Sequence, residues 1–328
     1  MTYEGLKAYL RDCAAFDRPL TVTGHSAPDT DAAVSALFEA WRLTLSGVAA
    51  VPLLQGALSR ETAWLLGEIT FPAVPAPDGR WVLSDHHDAD RYDGEVVGII
   101  DHHPVAQGVD LSGIDACIRP VGAATTIVAE RLKQAAMIPD AACARILLGA
   151  ILLDTEGLSP HKAKPEDLAV VEWLVSLCRE EPAAFYAALT EQLLSETDPA
   201  VLYERDYRVY TAPDGTPLMG FAILKVKAGH CPDLTVLRRR LAQDGEKYAA
   251  AVAKIVLYAP DGGREEIYLA AGPAADTVLT EVTRRSGSSA RRTAPDRVFL
   301  PADCHHWGRK RYANVLVELL QKKGGKSG

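Results

Sequence analysis

The first half of the chain alternates short apolar runs with longer stretches whose apolar residues recur at helical spacing, and this alternation limits the fold more than any other feature. "PLTVTG" predicts a strand and "DAAVSALFEAWRLTL" behind it a helix. "RWVLS" and "VVGII" predict two further strands, followed by the helical "AATTIVAERLKQAA" and a buried helix in "CARILLGAILLD". Strands separated by helices imply an α/β fold, an open and mainly parallel sheet with helices on both faces. Around residues 189–200, "LTEQLLSETDP" turns polar and is the expected linker between a first domain over 1–188 and a second over 201–328. In the second, "LMGFAILKV", a helix near Leu234 to Gln243, "YAAAVAKIVLY" and "EIYLAAG" predict a smaller mixed sheet with helices.

Composition narrows the class. With 48% hydrophobic and 24% charged residues over 328 positions, the chain is an ordinary globular protein rather than a disordered one. Six cysteines are scattered with no C-x-x-C pair, which argues against a disulfide framework and against a thiolate zinc site. Met1 to Cys13 reads as a short amphipathic helix, and no run approaches the roughly 18 apolar residues of a membrane span. The expectation is a soluble, cytoplasmic protein with no membrane partner. The net charge of −8 is uneven: from Arg284 onward eleven Lys/Arg face three acids, a +8 end on a −16 body. Such a division suits cations in one part and a polyanion between the two.

In open α/β sheets, ligands bind where the loops after the strands converge. The loop "GHSAPDTDA" supplies His25, Asp29 and Asp31; "WVLSDHHD" supplies Asp85; "VGIIDHH" supplies Asp101, His102 and His103; and Asp154 closes "GAILL". Any one of these has an ordinary structural reading: Asp29 or Asp31 as a helix N-cap, Asp-His as a turn. Asp154 fits that reading least, because a carboxylate at a helix C-terminus faces the negative end of the macrodipole. Several converging like charges would raise one another's pKa values, and a divalent cation is the simplest compensation. Oxygen and imidazole ligands without sulfur suit Mn, Co or Mg better than structural zinc.

"GHSAPDTDAAVSA", "VLSDHHD", "IIDHHPVAQG" with "PVGAATTIV", and "GAILLDT" stand in the order and approximate spacing of the DHH phosphoesterase superfamily. The chain most resembles the family II, manganese-dependent inorganic pyrophosphatases. "FLPADCHHWGRKRYANVLVELL" is similar to the basic motif of that family's C-terminal DHHA2 domain. The resemblance implies two Mn²⁺ or Co²⁺ ions per chain, one held by His25, Asp29 and Asp85, the other by Asp31, Asp85, His102 and Asp154. It implies that His103 faces the substrate, that Asp101 orients the histidine pair, and that Arg309 and Lys310 bind phosphate. Arg205 or Arg208 would stand in for a substrate lysine, and additional Mg²⁺ would arrive with the substrate.

The implied reaction is hydrolysis of pyrophosphate by a water activated between the two ions. A homodimer through the N-terminal domain is a further expectation. Departures from the pattern keep a second substrate open. Ala27 replaces an asparagine, His87 stands where pyrophosphatases usually have asparagine, and "ILLDTEGLSPHKAKPED" looks more like the exopolyphosphatase and prune branch, which acts on short polyphosphate. A nuclease of this superfamily would carry a glycine-rich G-G-G-H motif, for which "KAGHCPD" and "AAGPAAD" are poor matches, so nucleic acid is not the expected partner. A non-catalytic scaffold would be expected to have lost metal ligands, and none of the expected positions is empty.

Overall fold

The computed structural model describes residues 1–72, 79–105, 109–259, 263–306 and 309–324. The chain divides into two compact units, Met1–Leu193 and Leu194–Gly328. In the first, strands β1 (Leu20–Thr23), β2 (Ala50–Leu53), β3 (Arg80–Ser84), β4 (Glu95–Asp101) and β5 (Asp115–Ile118) form one sheet in the order β2-β1-β3-β4-β5. Every neighbouring pair is parallel. Its helices are α1 (Tyr3–Asp12), α2 (Thr30–Leu45), α3 (Arg60–Leu66), α4 (Ala124–Gln134), α5 (Ala141–Asp154), α6 (Pro165–Cys178) and α7 (Pro182–Leu193).

Alternation along the strands sorts the packing. Val22, Val82 and Ile100 meet the helical core, which includes Leu37, Val128 and Leu148. Trp81, Leu83 and Ile99 look the other way, where Tyr92, Leu111 and Ile114 cover them. That second face is closed by connecting segments rather than by the helices expected there. The link from β3 to β4 is shorter than a helical crossover usually needs, and the described residues of the link from β4 to β5 form no helix.

The polar stretch taken as a linker is mostly helical. Its first residues complete α7 and its last begin α8 (Pro199–Arg205), with Leu189 and Leu194 buried and Glu191 between them exposed. The second unit continues with β6 (Tyr207–Thr211), β7 (Pro217–Lys227), α9 (Leu234–Gly245), β8 (Ala250–Tyr258), β9 (Arg264–Ala271), α10 (Ala275–Ser286), β10 (Arg291–Ala294), β11 (Arg297–Leu300) and α11 (Arg309–Gly324). The sheet order is β10-β11-β9-β8-β7-β6, mixed because only β7 and β8 run parallel. Phe221 and Tyr268 pack with α10 and α11 on one face, and Leu224 and Ile255 with α8 and α9 on the other. The two-domain α/β architecture with one parallel and one mixed sheet is as the sequence predicts. Among the described residues no helix is long and apolar enough to cross a membrane.

The arginines of "RRSGSSARR" lie in regular elements, two near the end of α10 and two in β10. Arg284 and Arg285 end α10 and both pair with Glu281, while Arg292 reaches Asp276 at 3.0 Å.

One buried carboxylate fixes the approach to α4. Asp167 accepts from Gly122 N at 2.8 Å, Lys164 N at 2.7 Å and Thr126 Oγ1 at 2.6 Å, and it is fully buried. Asp167→Ala is expected to cost about 3 kcal/mol, since buried donors lose a charged acceptor. Urea unfolding of the two proteins measures it, and a loss under about 1 kcal/mol would contradict this account.

Candidate metal centre

The strand ends of the first unit deliver the polar residues to one place. His25 follows β1, where Gly24 is required: a Cβ there would lie 2.7 Å from the Ala32 side chain and 2.8 Å from its carbonyl oxygen. That close approach seats the first turn of α2 against the strand end. Asp29 caps α2, its Oδ1 accepting from Ala32 N at 3.0 Å, which leaves Oδ2 to face His25. Asp31, in the first turn of α2, accepts from Ala124 N at 2.6 Å and Thr125 N at 2.8 Å, the first backbone donors of α4. Asp85 follows β3 in the left-handed region at φ +63°, an uncommon conformation for a residue with a side chain, while its N–H donates to Ile100 O at 2.8 Å. Asp101 ends β4, and Asp154 is the last residue of α5.

Asp85 stands at the centre. Its Oδ2 is 3.4 Å from His25 Nε2 and its Oδ1 is 3.1 Å from His102 Nε2. His102 Nε2 also lies 3.4 Å from Asp154 Oδ2 and 4.0 Å from Asp31 Oδ2. Three groups of potential ligand atoms result: His25, Asp29 and Asp85; Asp31, His102 and Asp154; and Asp85, His102 and His103. His102 Nδ1 faces the Val121 carbonyl at 3.1 Å and His25 Nδ1 the Ser26 carbonyl at 3.1 Å. A carbonyl only accepts, so each Nδ1 carries a proton and each Nε2, turned toward Asp85, is the ring atom left to bind a proton or a cation.

Two oxygens in this cluster, Asp85 Oδ1 and Asp154 Oδ2, are buried without any hydrogen-bond donor. Acceptors therefore converge on acceptors, and only a positive charge relieves them. Without a metal, protons must serve. Burial works against a charged His25, yet hydrogen bonds and charge from Asp29 and Asp85 prevail and raise it to about 11. His102 is raised to about 10, again against burial, by Asp85, Asp31 and Asp154. Burial, Asp29 and Asp85 push Asp154 up to about 7, and burial with Asp85 and Asp154 holds Asp31 well above the carboxylate range. Oxygen and imidazole donors that crave positive charge suit a divalent cation.

Asp101 is separate from these ligand groups and fully buried. Burial would raise its pKa, but hydrogen bonds from His103 and His87 hold it down at about 2. His103 donates from Nδ1 to Asp101 Oδ1 at 2.9 Å, and that bond raises its own pKa.

No protein-family model matches the chain. It is 30% identical to the manganese-dependent inorganic pyrophosphatase of Methanothrix thermoacetophila over 174 residues, half of this chain and 56% of that one. It is 28% identical over 212 residues to a Deinococcus radiodurans protein assigned the same activity, covering 61% of this chain and 67% of the relative. The chain thus spans about half the length of the Methanothrix protein it matches. A Methanococcus jannaschii crystal structure assigned to the family II inorganic pyrophosphatases superposes with a TM-score of 0.67 at 21% identity, over 90% of this chain and all of that one. In sequence over about half its length, and in fold over most of it, the chain is similar to the family II inorganic pyrophosphatases.

The remaining expected site residues belong to the second unit. Arg205 closes α8, and Arg208 lies exposed on β6, 4.0 Å from Asp206. Arg309 and Lys310 are the first residues of α11, and their side chains lie outside the described residues. Residues that carry no role in the sequence reading surround the cluster at Asp85. His86 Nδ1 donates to Ser84 O at 2.9 Å, and its Nε2 meets the Tyr92 hydroxyl at 2.8 Å, which also accepts from Gln55 at 2.7 Å. This directed chain leaves His86 neutral, and burial lowers its pKa. His87 donates to Asp101. The repeated Asp-His-His triplet was the available signal for both histidines.

Proposed function

We propose that the chain is a metal-dependent hydrolase of phosphoanhydrides that splits inorganic pyrophosphate into two phosphates. The observation that carries this reading is the pair of buried, donorless oxygens, Asp85 Oδ1 and Asp154 Oδ2, set among imidazoles that present Nε2. The named activity of the relatives supports it, and with it manganese. In this reading one ion is held by His25, Asp29 and Asp85, the other by Asp31, Asp85, His102 and Asp154, with Co²⁺ able to replace Mn²⁺ and Mg²⁺ entering with the substrate. When bound there, such ions would supply a water of lowered pKa and positive charge to offset the phosphate.

The chain's own groups do the rest. Asp85 spans both ligand sets and fixes their spacing. His103, anchored through Nδ1, keeps Nε2 for the substrate, and the Asp101 carboxylate favours its charged form, so the ring can pass a proton to the departing phosphate. Arg309 and Lys310, with Arg205 or Arg208, would take the phosphate oxygens, and their fixed charges suit that task. A homodimer through the first unit belongs to the same proposal, with β5 as an edge strand able to meet a second chain.

Phosphate release with Mn²⁺ or Co²⁺ tests the proposal on pyrophosphate, tripolyphosphate, longer polyphosphate and a short oligonucleotide. Pyrophosphate should give the highest kcat/KM. A higher value for tripolyphosphate or longer chains would make the protein a polyphosphatase, and release from none of them would withdraw the proposal.

A further inference from the structure

The second histidine after Asp85 occupies a position that the reaction as described leaves unused. His87 Nδ1 is hydrogen-bonded to Asp101 Oδ2. The other oxygen of Asp101 is already crowded, with His102 N at 2.7 Å, His103 N at 3.1 Å and His103 Nδ1 at 2.9 Å all on Oδ1. Among the described residues no other donor meets Oδ2, and the carboxylate is fully buried. The contact exists because β3 and β4 pair in parallel with Ser84 opposite Ile100, so the residues just past Ser84 lie alongside Asp101.

We propose that His87 is a positioning residue: by donating to Oδ2 it locks the Asp101 carboxylate in the one orientation that presents Oδ1 to His103 Nδ1, and so fixes the ring that meets the substrate. Without that donor, a bare oxygen is left buried, and the carboxylate gains by turning toward any other partner. The turn withdraws Oδ1 from His103. The requirement is a single N–H at this point, not an imidazole. An asparagine side chain, whose amide N–H also donates, can supply the same bond.

The inference rests on the hydrolase reading for its kinetic consequence, though not for its structural one. With Mn²⁺ and pyrophosphate, His87→Phe should lower kcat about 10- to 100-fold, the usual effect of losing a group that orients a site residue, with KM and bound manganese unchanged. His87→Asn should recover most of that loss. In a His103→Ala background, His87→Phe should add nothing, because its effect passes through the missing ring. Independently of activity, ¹⁵N NMR of the metal-free protein should find neutral His103 protonated on Nδ1 in the wild type and in His87→Asn, and mixed between both nitrogens in His87→Phe. An unchanged kcat, an equal loss with and without His103, or an unchanged tautomer would overturn the proposal. If His87→Phe does not fold, His87→Leu removes the same donor and is read the same way. A wild type that releases no phosphate from any substrate would end the hydrolase reading, while the NMR result would still decide the role of His87.

Discussion

Asp85→Asn will abolish phosphate release and strip the protein of bound metal, whereas Asp101→Asn will retain most of its metal and lose about 10- to 100-fold in rate. The difference follows from position. Both oxygens of Asp85 point at imidazole Nε2 atoms, and Oδ1 is buried with no donor of its own. An amide in its place turns an N–H toward one of those nitrogens, so one ligand set loses an oxygen and gains a donor where a cation should sit. Asp101, by contrast, has its oxygens occupied by N–H groups of His87, His102 and His103. The substitution at 85 is nearly isosteric, so circular dichroism should show an intact fold. Metal analysis decides: two tightly bound ions per chain in purified Asp85→Asn would refute the spanning role.

Removing the metal should destabilise the protein far more at pH 8 than at pH 5. Four groups of the empty site bind protons more tightly than they would in an unfolded chain: His25 at about 11, His102 at about 10, Asp154 at about 7, and Asp31 above its usual range. For the histidines, the stability this confers is complete below the unfolded value near 6.5 and fades as pH rises toward 10 to 11. For the two carboxylates the folded state falls behind as pH climbs from about 4, and for Asp154 the penalty is complete above about 7. Both signs agree, so the metal-free site weakens steadily through the neutral range. A divalent cation displaces those protons, and its binding therefore strengthens with pH. With free Mn²⁺ a thousandfold above its Kd, the stabilisation is about 4 kcal/mol. Calorimetry of chelated and Mn²⁺-loaded protein should show a rise in Tm that is large at pH 8 and small at pH 5. Equal rises would mean that these groups are not the ligands.

Much of this was legible in the sequence, for a physical reason. A buried parallel strand is an unbroken apolar run, and in "VLSDHHD" and "IIDHH" the chemistry begins at the residue where the run stops, so β3, β4 and their carboxylates announce each other. Edge strands carry a weaker signal. β2 contains Pro52, which reads as a breaker and is tolerated because an edge residue need not donate outward, and β5 is short and half exposed. β10 begins with two arginines and reads as loop for the same reason. The proposed metal ligands stood out in the sequence as residue types, but the donors that hold them did not. His87 reaches Asp101 only through the register of two strands, and Asp31 meets Ala124 and Thr125 across more than ninety positions.

That last contact bears on how the site endures mutation. Asp31 is aimed by peptide N–H groups at the start of α4, and every amino acid except proline brings such a group. The aim of this carboxylate is therefore indifferent to which side chains occupy 124 and 125, provided they fit the space. Lineages can exchange those residues over long divergence without passing through an inactive ancestor, whereas His103, aimed by a carboxylate that itself leans on another side chain, has fewer neutral paths open to it.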